Sequence, residues 1–382
     1  MRLRRLLLIS EAWGVVAQYN TLQDILTAQS ATLSTLSAWL QSQAVVFQIL
    51  SNAQGVTLLA PSNNALSQLY STSLASELAL DPNFLTAFLA YHVLSGVHFV
   101  SDLSKSQGAS VPTFLNMAAY SNVSGGQVVH SKSQNGAVNL ITGNNMQSNL
   151  QPYDFNYVGG TLHIIDSVLT IPKSLTNTLI AGGLTATVGA LRRASIEDTL
   201  NEASDVTIFA PTNDAFNAIG SLVNAMTLEQ LTSVLNYHVV RGKVLYSELL
   251  TGGSELTSQG ASVNFRVQNG ALFANSARVV ISDILVGNGV VHVVDGVLNP
   301  ANTTATPDPN AATQPPAFNG ASSTDGGVPF TSAVVSTTTI SDGGTPTASP
   351  SPPSVVEGAA SQTKAGAVVA ALFGGVVVLA GW

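Results

Sequence analysis

The sequence predicts two tandem copies of one domain that combines short strands with short helices, with a disordered stalk after the second copy. Three sequence landmarks occur twice in the same order. They are TLLAPSNNAL at 57–66 and TIFAPTNDAF at 207–216, AYHVLSGV at 90–97 and NYHVVRGK at 236–243, and GGTLHIIDSVLTIP at 159–172 and NGVVHVVDGVLNP at 288–300. An internal repeat of this kind indicates a duplicated domain. The spacing between copies shrinks along the chain, which predicts an insertion in copy one within its Gly-, Ser- and Asn-rich stretch 121–149.

The first and last landmarks of copy two are predicted to contain buried strands. VTIFA at 206–210 is built from β-branched and aromatic residues and ends at Pro211. VVHVVDGVL at 290–298 follows the turn signal Asn288-Gly289. The matching residues of copy one are predicted to form the same two strands.

The Tyr-His landmark ends a predicted helix in each copy. In copy two, Thr227 and Gln230 form a capping box at the start of the helix. In copy one, Asp81 is the cap and Pro82 takes the first helical position. The predicted buried faces consist of Leu228, Leu231, Leu235 and His238 in copy two and of Phe84, Leu85, Phe88, Leu89 and His92 in copy one.

Composition excludes several classes of function. Only 9% of residues are charged and the net charge is −8, with no run of Lys and Arg in the body of the chain. A nucleic-acid partner is therefore not predicted, because a phosphate-binding surface needs such a run. The chain has no cysteine, which excludes thiolate catalysis, cysteine-based zinc sites and disulfides.

The N-terminal residues 1–17 have the pattern of a secretory signal peptide. Arg2, Arg4 and Arg5 precede an apolar run, and small residues ending at Ala17 precede Gln18. An ordinary first helix is the alternative interpretation.

The C-terminal residues 358–382 have the pattern of a glycolipid-anchor attachment signal. Three small residues beginning at Gly358 are followed by a short polar spacer with Lys364 and then by apolar residues up to Trp382. The predicted lipid-anchor residue is Gly358. A retained membrane span is the alternative, although no basic residues follow it.

Residues 302–357 are rich in Thr, Ser, Pro, Gly and Ala. They offer little apolar surface to offset chain entropy, so we expect a disordered stalk of the O-glycosylated type. Asn122 and Asn302 each begin an acceptor triplet for N-glycosylation. The predicted organisation is a signal peptide at 1–17, domain one at 18–172, domain two at 173–301, the stalk at 302–357 and the anchor signal at 358–382.

The three landmarks resemble those of the fasciclin domain family. TIFAPTNDAF, the mid-domain Tyr-His pair and NGVVHVVDGVLNP stand in the order typical of the family, and copy two follows the pattern more closely than copy one. The resemblance covers about residues 20–301. It implies an α+β fold with two tandem fasciclin-like domains, each a small β-wedge packed with short helices, and it implies extracellular adhesion.

The resemblance also implies a set of partner-binding residues. In animal members of the family, adhesion is attributed to the Tyr-His region and to an Asp-Ile pair before the closing strand. The matching positions are Tyr237, His238, Asp283 and Ile284 in copy two and Tyr91 and His92 in copy one. Copy one has Asp154-Phe155 at the Asp-Ile position, which weakens the correspondence there.

The histidines of the landmarks have two interpretations. His92 and His238 end apolar helix faces, and His163 and His292 lie between apolar neighbours in predicted strands. Buried imidazoles in such places usually hydrogen-bond to the backbone and connect two elements, which is the favoured interpretation. Direct recognition of a partner by the Tyr-His pair is the alternative.

Catalysis is not predicted. The chain lacks the G-x-S-x-G, H-E-x-x-H and G-x-x-x-x-G-K motifs. A carboxylate pair for glycoside hydrolysis needs no proximity in sequence. Asp166 and Asp295, however, occupy the same position of a repeated landmark, which favours a structural role. No cofactor or metal is predicted.

The leading hypothesis is a cell-surface adhesion protein, held at the membrane by a lipid anchor, that binds a protein or matrix ligand or a second copy of itself. Tandem domains multiply weak contacts. A polysaccharide-binding module of the cell wall is the second hypothesis, although aromatic residues make up only 6% of the chain. A passive surface spacer is the third.

Overall fold

The computed structural model describes residues 19, 21–42, 44–69, 73–134, 136–151, 153–323, 327–331 and 334. The predicted signal peptide and anchor signal lie outside these residues, so both remain predictions. Among the helices described, none has both the length and the apolar composition needed to cross a bilayer.

Each domain combines short helices with β-sheets. The helices of domain one are α1 (Leu22–Ala28), α2 (Ser30–Ser42), α3 (Ala44–Asn52), α4 (Asn63–Leu69), α5 (Ser73–Leu80), α6 (Pro82–Tyr91) and α7 (Val100–Leu103). Its strands are β1 (Val56–Pro61), β2 (Val93–Ser95), β3 (Ala109–Pro112), β4 (Val128–Gln134), β5 (Ala137–Ile141), β6 (Gln147–Asn149), β7 (Phe155–Tyr157) and β8 (Gly160–Ile165). A single 3-10 turn spans Gly143–Asn145.

Domain two repeats this order. Its helices are α8 (Leu175–Ala181), α9 (Thr185–Arg193), α10 (Glu197–Glu202), α11 (Asn213–Ala218), α12 (Gly220–Val223) and α13 (Leu228–Tyr237). Its strands are β9 (Val206–Pro211), β10 (Val239–Arg241), β11 (Gly252–Leu256), β12 (Ser262–Gln268), β13 (Ala271–Ala274), β14 (Ala277–Val286) and β15 (Gly289–Val294), and a 3-10 turn spans Ser247–Leu249. The α+β fold with two tandem copies is thus confirmed.

The landmark strands pair in the same way in both domains. β1 lies between antiparallel β2 and parallel β8, and β9 lies between antiparallel β10 and parallel β15. The register places Leu59 opposite His163 and Phe209 opposite His292. Every residue of β1, β9 and β15 is buried, because helices cover these strands and they face solvent on neither side.

The predicted capping signals and apolar faces are present. Thr227 and Gln230 form the capping box of α13, and Asp81 caps α6. Leu231 and Leu235 are buried in the core of domain two. Leu228 is an exception to the predicted face, being 55% exposed, because it is the first residue of α13 and projects beyond the core.

The insertion in copy one lies earlier than the sequence predicts. β3 and β4 are separated by residues 113–127, whereas β11 and β12 are separated only by residues 257–261. Most of the predicted range 121–149 instead forms β4, β5 and β6. Its Gly, Ser and Asn residues suggested a loop, but the Val and Leu residues among them are buried in the second sheet of domain one.

The described chain continues on domain two beyond the predicted boundary at 301. Asn299 donates a hydrogen bond to the Ala317 carbonyl at 3.0 Å, and the Phe330 ring packs against Phe216 with centroids 5.9 Å apart. The guanidinium of Arg193 lies 5.4 Å from the centre of the Phe330 ring. Isolated apolar residues such as Phe318 and Phe330 pack against the core of domain two and hold this segment, although Thr, Ser and Pro surround them.

Gly189 of α9 tests the docking of this segment. An ideal Cβ at Gly189 would lie 2.0 Å from the Phe330 carbonyl oxygen, so Gly189→Ala should displace residues 327–331. Alanine favours the helix itself by about 1 kcal/mol relative to glycine. We expect faster hydrogen exchange in residues 327–334 by mass spectrometry.

Gly182→Ala is the matched control, because its nearest neighbour would be the Thr178 oxygen at 3.4 Å. Unchanged exchange of residues 327–334 in Gly189→Ala would contradict the docking.

Candidate functional site: the buried histidines and the domain junction

The histidine of each Tyr-His pair connects the end of a helix to the segment after the closing strand. His238 ends α13; its Nδ1 donates to the Val234 carbonyl at 2.8 Å and its Nε2 accepts from the Leu298 backbone N–H at 2.9 Å. His92 makes the same two bonds in domain one, with the Phe88 carbonyl at 2.7 Å and the Leu169 N–H at 3.0 Å. Because a carbonyl only accepts and an N–H only donates, both rings must be neutral with the proton on Nδ1.

The strand histidines use the opposite tautomer. Nε2 of His163 donates to the His98 carbonyl at 2.7 Å, and Nε2 of His292 donates to the Leu245 carbonyl at 2.8 Å. Their Nδ1 atoms accept from the backbone N–H groups of Asp154 and Asp283 at 3.1 and 3.4 Å. All four landmark histidines are buried and hydrogen-bonded, which confirms the structural interpretation of these residues.

The tyrosines connect the same helices to strands farther along the chain, β12 in domain two and β4 in domain one. The Tyr237 hydroxyl donates to the Ser262 carbonyl and accepts from Asn275 Nδ2, both at 2.8 Å. The Tyr91 hydroxyl donates to the Val128 carbonyl at 2.9 Å. Neither tyrosine has any exposed surface.

Asp283 lies in β14, at the register shift between Ile281 and Ile284, in the left-handed backbone region with φ 61°. It is 5% exposed, and its carboxylate accepts from both the backbone N–H and the hydroxyl of Ser247. Burial raises the pKa of Asp283, but His292, these Ser247 hydrogen bonds and His130 outweigh it and hold the pKa below its ordinary value. In domain one, Asp154 has the same left-handed backbone and accepts from the Val100 N–H at 3.0 Å.

Ile284 is the one predicted partner-binding residue that reaches the surface. It is half-buried and lines a cavity of about 330 Å³ together with Val280 and Ile281, each 48% exposed. Asn144 and Asn145 of domain one line the same cavity. The other five predicted residues are buried, so direct partner contact by them remains a prediction that would require the domain to open.

The insertion of domain one forms the junction between the domains. Gln127 is fully buried, and its Nε2 donates to the Val286 carbonyl of domain two at 3.0 Å. Asn122 donates through its backbone N–H to the Gly287 carbonyl at 2.7 Å, and Ser124 donates through its N–H to Asp205 at 2.7 Å. The extra residues of copy one therefore hold the two copies together.

A cluster of ionisable residues at this junction was missed in the sequence. His130 of β4 is 2% exposed and lies opposite Glu248 and Asp283 of domain two. His130 Nδ1 is 4.0 Å from Glu248 Oε2, and His130 Nε2 is 4.0 Å from Asp283 Oδ2. His130 lies outside the repeated landmarks, and no motif connects it to residues more than a hundred positions away. One difference between the copies marks the site: copy two has Glu248 where copy one has Ser101. The two positions correspond because each directly follows the residue whose N–H donates to Asp283 or Asp154.

The repeated aspartates and the predicted glycosylation sites hydrogen-bond mainly to the backbone. Asp166 and Asp295 each accept from a backbone N–H, of Asn149 at 2.8 Å and of Arg278 at 2.7 Å, which supports their structural role. Asn122 Nδ2 donates to the Glu202 carbonyl at 3.1 Å and Asn302 Nδ2 donates to the Ala317 carbonyl at 3.3 Å. Glycosylation at either asparagine stays a prediction.

His238→Ala should destabilise domain two. The change leaves the buried Val234 carbonyl and Leu298 N–H without the imidazole, which should cost about 1–3 kcal/mol in the free energy of unfolding. Denaturant unfolding followed by circular dichroism measures this loss. His98→Ala is the control, because His98 is partly exposed and, among the described residues, its ring hydrogen-bonds to the nearby Ser95 carbonyl alone. Equal stability of the His238→Ala and wild-type chains would contradict the assignment.

The buried histidines also predict loss of stability in acid. Burial lowers the pKa of His92 and of His238 from 6.5 to about 4. Below pH 6.5 the unfolded chain binds protons that the folded chain does not, so each histidine should remove about 2 kcal/mol of stability between about pH 7 and pH 5. Urea unfolding across this range measures the loss, and stability that is constant over it would contradict the prediction.

Comparison with known proteins identifies the family. The Fasciclin domain model matches residues 31–172 and 182–300. A fasciclin-like arabinogalactan protein of Arthroderma benhamiae is 34% identical over 339 residues, covering 87% of this chain and 80% of that protein. The fasciclin-like arabinogalactan protein CTB11 of Cercospora beticola is 31% identical over 286 residues, covering 72% and 76% of the two chains. Among solved structures, a FAS1 domain pair from the insect cell adhesion molecule fasciclin I aligns with a TM-score of 0.33 and 20% identity, covering 67% of this chain and 92% of that one. The chain therefore belongs to the fasciclin domain family and carries two such domains in tandem.

Proposed function

We propose that this protein mediates adhesion at the cell surface by binding a protein or matrix partner through its two fasciclin domains. Family membership supports a binding role, and the relative from Arthroderma benhamiae matches across both domains. The predicted signal peptide, stalk and anchor signal would carry the domain pair out of the cell and hold it at the membrane. The structural observation that carries the proposal is the apolar cavity around Ile284, which both domains line.

The junction face, defined as Val280, Ile281, Ile284, Asn144 and Asn145, is the proposed contact surface. Val280 and Ile281 lie where β14 loses regular pairing with β15, between Val279 and Ile284. A bulge in a strand redirects its side chains, and here it leaves two aliphatic residues half exposed. Because Asn144 and Asn145 come from domain one, this face exists only when the two domains are packed together.

The chemistry of the junction face favours a protein partner over a polysaccharide. The cavity lining is made of aliphatic, threonine, asparagine and glycine residues, with no aromatic ring among the described residues that line it. Sugars usually stack on exposed aromatic rings, whereas an aliphatic side chain of a partner fills an apolar cavity of this size. Trp39, which is outside the predicted signals, packs edge-on against Phe88 in the core of domain one instead of forming an exposed platform.

The buried landmark residues support this face indirectly. Asp283 directly precedes Ile284 and is fixed by Ser247 and His292. Tyr237 and His238 hold α13 against β12 and the segment after β15. A change at these positions would alter adhesion by loosening the domain, so it would not distinguish contact from folding.

Cell aggregation tests the proposal with the full chain. Yeast that do not aggregate by themselves would display the full chain and be mixed with unmodified cells or with cells displaying the same chain. We expect aggregation with one of these partners, and Ile281→Lys should weaken it at least about tenfold, because a charge replaces an apolar contact. Aggregation only between displaying cells would identify a second copy as the partner.

Leu256→Lys is the matched control. Leu256 is 63% exposed on β11, outside the junction face, so the change adds the same charge without altering the proposed contact. Equal losses in the two variants would reject the junction face. Failure of the wild-type chain to cause any aggregation or to retain soluble partner proteins would contradict the adhesion role and favour a passive spacer.

A further inference from the structure

We propose that His130, Glu248 and Asp283 bind a divalent transition-metal ion of the Zn²⁺ class at the junction of the two domains. One ligand atom from each residue lies within 4.8 Å of the others. His130 comes from domain one and the two carboxylates come from domain two. A bound ion would therefore connect the domains through coordination bonds in a chain that has no cysteine for a disulfide.

The three side chains are separated by slightly more than the ligands of a zinc ion are. The two His130–carboxylate distances of 4.0 Å are too long for hydrogen bonds. Ligand atoms around a tetrahedral zinc ion lie about 3.4 Å apart, as follows from zinc–ligand distances of about 2.1 Å. The ligand atoms are up to 4.8 Å apart, so approaches of up to about 1.4 Å would close the group around an ion.

Hydrogen bonds from two serines orient the ligands. The Ser110 backbone N–H donates to Glu248 Oε1 at 2.9 Å, and the Ser110 hydroxyl bonds to His130 Nδ1 at 3.0 Å. When Nδ1 donates to this hydroxyl, His130 Nε2 presents its lone pair, and Nε2 is the atom that faces Asp283. Ser247 holds the Asp283 carboxylate through its N–H and hydroxyl. Histidine ligands of metals typically have their second nitrogen fixed in this way.

Two buried oxygen atoms beside the cluster lack partners. Tyr246 is 7% exposed, and its hydroxyl makes no hydrogen bond among the described residues. Glu248 Oε2 is also buried without a hydrogen bond. A buried polar group normally has a partner, and an ion with a bound water would satisfy both oxygens.

The charge balance also favours a cation. The described residues place no Lys or Arg within ion-pairing distance of Glu248 or Asp283, and the basic side chains beside them are His130 and, at Asp283, also His292. Buried carboxylates are costly unless they are paired or coordinate a metal. One imidazole nitrogen and two carboxylate oxygens suit zinc and related ions, whereas Ca²⁺ requires six to eight oxygen ligands.

Domain one provides an internal control. Asp154 has the same backbone conformation as Asp283, and like Asp283 it accepts from the backbone N–H of the first residue of an earlier helical turn, Val100. Ser101 stands where domain two has Glu248, and the described residues place no cluster of three ligating side chains around Asp154. Asp154→Asn therefore makes the same chemical change at an equivalent position without touching the proposed site.

Calorimetric titration of the purified full chain with ZnCl₂, after removal of metal by a chelator, tests the proposal. We expect one saturable ion per chain, and a Zn²⁺ affinity weakened at least about tenfold in both Glu248→Gln and Asp283→Asn. Asp154→Asn should bind as the wild-type chain does. Zn²⁺ should raise the unfolding temperature of the wild-type chain and not that of Glu248→Gln, a variant that can still accept the Ser110 hydrogen bond.

Three results would overturn the proposal. They are the absence of saturable binding, binding that Glu248→Gln and Asp283→Asn leave unchanged, and equal weakening by Asp154→Asn. The first result combined with lower stability of Glu248→Gln would mean that Glu248 stabilises the junction without metal. Circular dichroism of each variant separates loss of binding from loss of folding.

Discussion

The structure depends on the hydrogen bonds of a few fully buried polar side chains that connect elements distant in sequence. His238 is the clearest case, because its two ring nitrogens satisfy a helix carbonyl and a backbone N–H sixty residues later. A buried polar group that lacks a partner costs more than an average hydrogen bond contributes. These side chains therefore determine where the helix end, the closing segment and the two sheets lie, and the aliphatic residues pack around that arrangement.

The same constraint explains how two copies of one domain become a pair. Gln127, in the extra residues of domain one, is as buried as His238 and hydrogen-bonds to the Val286 carbonyl in domain two. Val128 beside it packs with Tyr246, Leu285 and Val290 of domain two. The junction thus has a small apolar core with hydrogen-bonded polar groups. Packing of the two domains at this junction forms both the cavity around Ile284 and the cluster around His130.

The repeated landmarks made the fold predictable from the sequence. The site was less predictable, because its residues are distant in sequence and come together only in the folded chain. The buried histidines and the strands around them lie within landmarks that occur twice, so each copy supported the interpretation of the other. Residues 113–127 occur once and contain no regular periodicity, so their position and role could not be inferred. The proximity of His130 to Asp283 likewise follows from domain packing, which no local pattern in the chain encodes. The family resemblance could not predict the burial of Tyr237 and Asp283 either, because matching a motif identifies residue types and does not show how exposed they are.

If the two domains form one fixed unit, the distance between a residue of one and a residue of the other has a single value that can be measured. The chain contains no cysteine, so Gln41→Cys in domain one and Ser254→Cys in domain two would introduce the only two sites for spin labels. Pulsed electron paramagnetic resonance then gives the distribution of distances between the labels. We expect a single narrow distribution in the full chain. A broad distribution, typical of domains that move independently, would contradict it.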